Sequence, residues 1–212
     1  MRIHVCCTDS AHPVLAPLQA WISGLGQAHE ASLLAGVADA TGGDILFLVS
    51  VAEIVPRNVR TRYRATLVIH ASALPKGRGW SPWVWQILEG ARQITVCAIT
   101  ADDHVDTGAI WAQRTFDVAP HEIAAEIHAK LFAAELELMS EVIERFGAIE
   151  PRPQGADGAT YYRRRAPEDS RLDPHRPLAE QFDLLRICDP ERYPAFFELH
   201  GHRYKLTLDK LS

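Results

Sequence analysis

The chain has 212 residues, 47% of them apolar and 23% charged, which suits one well-cored globular domain or one plus a small appendage. Acidic residues outnumber basic ones 27 to 22 for a net charge of −5, the wrong sign for a protein that coats nucleic acid. No apolar run approaches the ~18 residues of a bilayer span, the opening residues turn polar too soon for a secretory signal, and Cys6, Cys7, Cys97 and Cys188 lack CxxC spacing, so a cytoplasmic protein with free thiols and no bound metal is expected.

In chain order, Ile3 to Cys7 reads as a first strand. His12-Pro13 near its end either lines a pocket or starts a helix. His29 to Leu34 is a further strand candidate, followed by Asp44 to Ser50, Ala65 to Ala71 and Gln93 to Ile99. Continuous, β-branched-rich runs of this kind are strands buried on both faces, the mark of a mostly parallel sheet. Ser81-Pro82 pairs an N-cap residue with a proline at the first helical position, and Trp83 to Glu89 then runs to Gly90. Pro120 opens a longer helix whose stripe of Ile123, Ile127, Leu131, Leu138, Val142 and Phe146 stops at Gly147.

Strands alternating with helices predict an open α/β sheet, Rossmann-like, over residues 1–147, with ligands at the carboxyl ends of its strands. Residues 148–212 differ: they hold seven of the 13 prolines, a dense mix of charges and many aromatics. Leu178, Phe182, Leu185 and Ile187 outline one short amphipathic helix, and Phe196 to Leu199 and Tyr204 to Leu208 flank a turn at Gly201. This tail is expected to wrap on the sheet domain as an appendage.

The richest stretch for chemistry is Leu67 to Trp83. His70 falls at a strand end, where it is either a reactive group or a histidine satisfied by a backbone carbonyl. Lys76, Gly77, Arg78 and Gly79 precede a helix start, so they form either an anion cradle or a tight solvated turn. Asp102 to Gly108 follows the next strand, and a carboxylate there, Asp106, fixes the tautomer of a neighbouring imidazole unless it merely makes an Asx turn. Trp80, Tyr161 and Tyr162 are candidates for stacking on a ligand ring or for plain packing, and Arg163 to Arg165 for a diphosphate or a solvated face.

The pattern His70-x-Ser72-x-Leu74-Pro75-x-x-Arg78-Gly79, followed about 36 residues on by Asp106-Thr107-Gly108, resembles the 10-formyltetrahydrofolate-dependent formyltransferases. The tail residues Gln154, Tyr161-Tyr162, Pro167 to Asp169 and Gln181 to Arg186, with Gly77 to Pro82, resemble bacterial nucleotide-sugar N-formyltransferases of a compact branch in cell-surface glycan biosynthesis, on pathways to sugars such as pseudaminic acid. The resemblance implies formyl transfer from 10-formyltetrahydrofolate to the amine of a UDP- or dTDP-linked amino sugar, within a catalytic domain of residues 1–147. It implies His70 as general base or proton shuttle, oriented by Asp106. Ser72, Ala73, Leu74 and Pro75 then contact the folate, while His12, Lys76, Arg78, Trp80, Tyr161 and Tyr162 are candidates for the acceptor.

The chain departs from the family at Val68, where a catalytic Asn stands two residues before the His. Valine donates no hydrogen bond to a developing oxyanion, which keeps a non-catalytic folate- or nucleotide-sugar-binding paralogue open as an alternative. Transfer to tRNA-linked methionine or to glycinamide ribonucleotide are the others. For tRNA the acidic charge and a 65-residue tail leave little room; for the ribonucleotide no Gly-rich phosphate loop follows the first strand. Dimerisation is common among sugar formyltransferases, and the tail helix is the candidate surface for a homodimer.

Overall fold

The computed structural model describes residues 1–155 and 157–211. Its elements are β1 (Arg2–Cys6), α1 (Leu15–Gly24), β2 (Glu30–Leu34), β3 (Gly43–Leu48), α2 (Arg57–Arg60), β4 (Tyr63–His70), β5 (Arg78–Gly79), α3 (Pro82–Leu88), β6 (Gln93–Thr100), β7 (Ile110–Asp117), α4 (Ala124–Glu144), β8 (Tyr161–Tyr162), α5 (Phe182–Arg186), β9 (Ala195–Leu199) and β10 (His202–Leu206). Six strands form one sheet in the order β2-β1-β3-β4-β6-β7, giving the expected α/β fold with a mostly parallel sheet.

The pairs from β2 to β4 are parallel; β6 runs antiparallel to both β4 and β7. Burial on both faces explains the uninterrupted apolar runs of β1, β3 and β4. On one face Ile3, Val5, Ile45, Phe47, Leu67 and Ile69 pack with residues of α1, α3 and α4. On the other, Cys6, Leu46 and Leu48 meet Val55, Val59 and Tyr63. Among the described residues no helix is long and apolar enough to cross a membrane.

Strand β7 has no counterpart among the sequence-derived strands. It is an edge strand whose burial alternates, with Arg114 and Asp117 along it, so it never forms a continuous apolar run. Direction was equally hidden: an apolar run specifies burial, and β6 is as buried antiparallel as it would be parallel. The consequence for the site is large. Thr100 ends β6 beside Leu67, not beside His70, so the loop after β6 must return along β4 to reach the histidine.

Two helix starts differ from expectation. Ser81 precedes Pro82 as anticipated, but it is left-handed (φ 46°) and its side chain caps nothing, because the chain reverses sharply there between β5 and α3. Helix α4 begins at Ala124 rather than at Pro120. Glu122 accepts the Ala119 N–H at 2.8 Å and closes a separate turn, and Glu126 then accepts the Ile123 N–H at 2.9 Å at the true start.

The tail docks through strand pairing and a buried arginine. β8 pairs with β5 in parallel register, Arg78 to Tyr161 and Gly79 to Tyr162. Arg186 is buried to 1% exposure, paired with Asp183 at 2.6 Å and donating to the carbonyls of Glu122 (3.0 Å) and Ala119 (3.3 Å), which ties α5 to the turn before α4. The expected single helix is a 3₁₀ turn, Leu178–Gln181, followed by α5, because the Gln181 amide is bonded to Asp173 and Arg176. β9 and β10 form the expected hairpin, starting one residue earlier and ending two earlier, around His200 and Gly201, both with positive φ as a tight two-residue turn requires.

Gly79 has φ +94°, and a Cβ there would sit 2.3 Å from the Tyr162 carbonyl oxygen. Gly79→Ala is expected to break the β5–β8 pair, lower the melting temperature and speed hydrogen exchange at the Trp80 amide, which bonds Tyr162 O at 3.1 Å. Gly147→Ala, with open space around its Cβ, is the control and should change neither. Unchanged Trp80 exchange in Gly79→Ala would mean the pairing does not hold the tail.

Candidate active site

A cavity of about 660 Å³ opens where β1, β3 and β4 end, the size of a small-ligand site. Its walls come from Thr8 and Asp9 after β1, Ser50 to Val55 after β3, the end of β4, the Ala101 to Asp106 loop, Gly79 to Val84, and one face of α4. Arg164, Arg165, Asp189 and Arg192 of the tail complete them.

His70 and Asp106 both line this cavity and meet there: Nδ1 lies 3.5 Å from Asp106 Oδ2, with the two side chains 6% and 9% exposed. The Nε2–H donates to the Gly77 carbonyl at 2.8 Å. That bond places the imidazole's proton on Nε2 and leaves Nδ1 as the position that takes up a proton, beside a carboxylate that stabilises the resulting charge. One nitrogen of His70 is thus satisfied by a backbone carbonyl, as one of its two readings from sequence has it, and the other faces Asp106.

Asp106 is held from several sides. Its backbone is left-handed, φ 54°, and its Oδ2 accepts the Gly79 N–H at 2.8 Å. Gln154 of the tail donates through Nε2 to the carbonyls of Asp106 (2.9 Å) and Gly108 (2.8 Å), while its Oε1 accepts from Arg78 at 2.7 Å. At Gly108 a Cβ would fall 1.8 Å from the Thr100 carbonyl oxygen, so only glycine lets the loop fold back this closely.

Val68 lines the cavity two residues before His70, on the same side of β4. It presents only methyl groups to the cavity and no hydrogen-bond donor.

Ser72, Ala73, Leu74 and Pro75 do not line the cavity. Ser72 is fully buried and its carbonyl accepts from the Leu74 N–H (3.0 Å) and the Cys97 thiol (2.9 Å); Leu74 packs with Cys97, Ile99 and Ile110. Their visible work is to shape the turn that carries Gly77 O to His70. Lys76 is exposed and away from the cavity, and Arg78 is buried, spending its guanidinium on Tyr161 Oη and Gln154. The anion cradle read from the sequence is thus replaced by pairing with the tail.

Tyr161 and Tyr162 also lie outside the cavity lining: Tyr162 stacks on Trp85 and donates to Glu89 at 2.6 Å, and burial with that carboxylate pushes its phenol up. Trp80 does line the cavity, with the Arg164 guanidinium 4.8 Å above its ring. Arg163 is committed to Asp169, whose carboxyl it holds down to about 2, and Arg165 to Asp169 O and Ser170. Arg164 has no carboxylate partner among the described residues.

His12 lines the cavity as anticipated. Its Nδ1 accepts the Val14 N–H at 3.2 Å, its Nε2 lies 3.1 Å from Ser50 Oγ, and burial with Arg192 nearby lowers its pKa to about 4. At neutral pH it is uncharged.

Sequence reasoning missed Glu135. The apolar stripe of α4 runs Ile127, Leu131, Leu138, Val142, and the helical period calls for an apolar residue at 135 as well. A glutamate stands there, 8% exposed and lining the cavity; burial pushes its carboxyl from the usual 4.5 up to about 8. A carboxylate interrupting an apolar stripe was the available signal.

A family model described as formyl transferase matches residues 23–143. A methionyl-tRNA formyltransferase of Roseobacter denitrificans is 30% identical over 96% of this chain and 68% of its own length. The chain spans 47–69% of the length of the curated methionyl-tRNA formyltransferases it matches. Among solved structures, the fold is similar to a methionyl-tRNA formyltransferase from Clostridium thermocellum (TM-score 0.82, 22% identity, 100% of this chain and 94% of that one). It is also similar to HypX from Aquifex aeolicus in complex with tetrahydrofolic acid (0.82, 22%, 98% and 37%). A third likeness is a sugar N-formyltransferase from a Shewanella species (0.74, 14%, 100% and 99%).

The raised carboxyl of Glu135 makes stability depend on pH. The unfolded chain releases this proton near 4.5 and the folded chain keeps it to about 8, so between those values the folded state binds more protons and loses stability as pH rises. Glu135→Gln should melt near wild type at pH 4.5 and above it at pH 9. A constant difference across that range would show that the carboxyl is not held neutral.

Proposed function

The chain belongs to the formyl transferase family, and from that premise we propose that it moves a formyl group from 10-formyltetrahydrofolate to the amine of a nucleotide-linked amino sugar, UDP- or dTDP-linked. The donor is the one this family uses. The observation that carries the reading is the buried His70–Asp106 contact facing a cavity at the strand ends. Formyl transfer forms a C–N bond to the acceptor amine, breaks the bond from the formyl carbon to N10 of the folate, and moves one proton from the amine to N10. His70 Nδ1 takes that proton as the amine attacks, Asp106 stabilises the imidazolium, and the proton is then returned to the leaving nitrogen.

Residues 1–147 carry this chemistry in our reading, and residues 148–212 supply an outer wall and the clamp of Gln154 on the Asp106 loop. A binding-only role gives no reason to bury a carboxylate beside His70. A small anionic acceptor is supported by Arg164 over Trp80 at the cavity wall, and the net charge of −5 disfavours a polyanion such as tRNA. The 30% identity to methionyl-tRNA formyltransferases favours a second acceptor, tRNA-linked methionine.

Purified protein with 10-formyltetrahydrofolate and a panel of UDP- and dTDP-linked 3-amino and 4-amino hexoses, alongside methionyl-tRNA, is expected to yield a formylated sugar by mass spectrometry. His70→Ala and Asp106→Asn should each slow it about 10²–10⁴-fold. Formylated methionyl-tRNA with untouched sugars would replace the first acceptor with the second; no transfer to any acceptor from protein that binds the folate would sink both.

A further inference from the structure

Glu135 is a group the transfer chemistry leaves unused. Its Oε2 is buried without a hydrogen-bond partner among the described residues, yet the residue lines the cavity. His128, Leu131 and Phe132, on the same face of α4 one and two turns earlier, line it too. The His128 ring stacks on Phe132 (centroids 5.3 Å apart, planes at 11°) and meets the edge of Trp83 at 5.2 Å, while His12 lies 6.1 Å from Phe132. Burial lowers the pKa of His128 as it does that of His12, so both imidazoles are neutral. The charges alongside are Asp9 and Arg192, paired with each other, and Asp189, whose Oδ1 accepts the backbone N–H groups of Glu191 and Arg192.

Glu135, His12 and His128 therefore offer uncharged hydrogen-bond donors and acceptors between aromatic walls, while the charged neighbours are already bonded within the protein. A protonated carboxyl has one donor and one acceptor to give, and here Oε2 uses neither role within the protein. Leaving such a group unmatched is costly unless a ligand matches it. A polyhydroxylated ring does so, with hydroxyls toward Glu135 and the imidazoles and its C–H face on the aromatics. The thioether chain of methionine brings no donor and only a weak acceptor.

We propose that Glu135, with His12 and His128, is the specificity-determining subsite that reads the hydroxyl groups of the acceptor sugar. This rests on the amino-sugar reading above and separates it from the methionine one.

The test is calorimetric binding of the same UDP- and dTDP-linked amino hexoses to the full chain saturated with tetrahydrofolate. Glu135→Leu is close in size and carries no polar group; Glu135→Gln keeps one donor and one acceptor. Glu135→Leu should bind the sugar about 10- to 100-fold more weakly, the loss of one or two hydrogen bonds, with tetrahydrofolate affinity unchanged. Glu135→Gln should stay within about threefold of wild type.

Unaltered sugar affinity in Glu135→Leu overturns the proposal, as does wild-type protein that binds no sugar of the panel. A Glu135→Gln variant as weak as Glu135→Leu overturns the hydroxyl reading, since only an ionisable carboxyl would then serve. Sugar binding that depends on Glu135 without any turnover keeps the subsite and removes the transferase reading instead.

Discussion

The short parallel pairing of Arg78–Gly79 with Tyr161–Tyr162 is the contact on which the rest of the site depends. It spans only two residues on each strand, yet three elements of the site hang from the loop it holds. Gly77, immediately before, offers its carbonyl to His70 and its N–H to Thr160 of the tail. Gly79 offers its N–H to Asp106, and Arg78 bonds Gln154, which grips the Asp106 loop in turn. The imidazole and the carboxylate come from β4 and from the β6–β7 loop; the tail sets the distance between them. An antiparallel β6 makes that help necessary, because its end lies beside Leu67 and the loop must travel back toward His70.

Charge is managed differently in the clamp and in the cavity. Three of the tail's arginines are matched with carboxylates: Arg163 with Asp169, Arg186 with Asp183 and Arg192 with Asp9. Burial would penalise Arg186 left alone, and its bonds to the Glu122 and Ala119 carbonyls, with the Arg192–Asp9 pair, fix where the tail lies. Inside the cavity Glu135 and His128 of α4 and His12 of the β1–α1 loop are kept neutral by desolvation. Neutral polar groups impose a smaller penalty on an uncharged ligand ring than fixed charges would, and they are held ready without a counter-ion to displace. Arg164, stacked on Trp80, is placed where an anionic group of a ligand would be drawn.

Much of this was legible in the residues and some of it was not, for identifiable reasons. Continuous apolar runs located β1, β3, β4 and β6, since burial on two faces writes itself into composition; the edge strand β7 is half wet and left no such trace. His70 and Asp106 stood out as chemistry at the ends of buried segments. Arg78 was read as an anion-binding cation because its true partners, Tyr161 and Gln154, lie more than 70 residues away. Ser72 and Leu74 read as ligand contacts for a similar reason: the turn they shape faces Cys97 and Ile110. Glu135 was the opposite case, a local signal in plain view, a carboxylate where the α4 stripe wanted an apolar side chain.

Through Gln154 the tail holds the Asp106 loop against His70 from outside the cavity. Replacing Gln154 tests this most directly, because it touches the Asp106 loop and Arg78 and does not line the cavity. The measurement is single-turnover formyl transfer by Gln154→Leu at saturating folate and acceptor. Loss of the two bonds to the Asp106 loop should slow the chemical step by about 10²-fold while tetrahydrofolate still binds as in wild type. A wild-type rate in a folded Gln154→Leu protein would contradict the claim and leave the tail a passive cover.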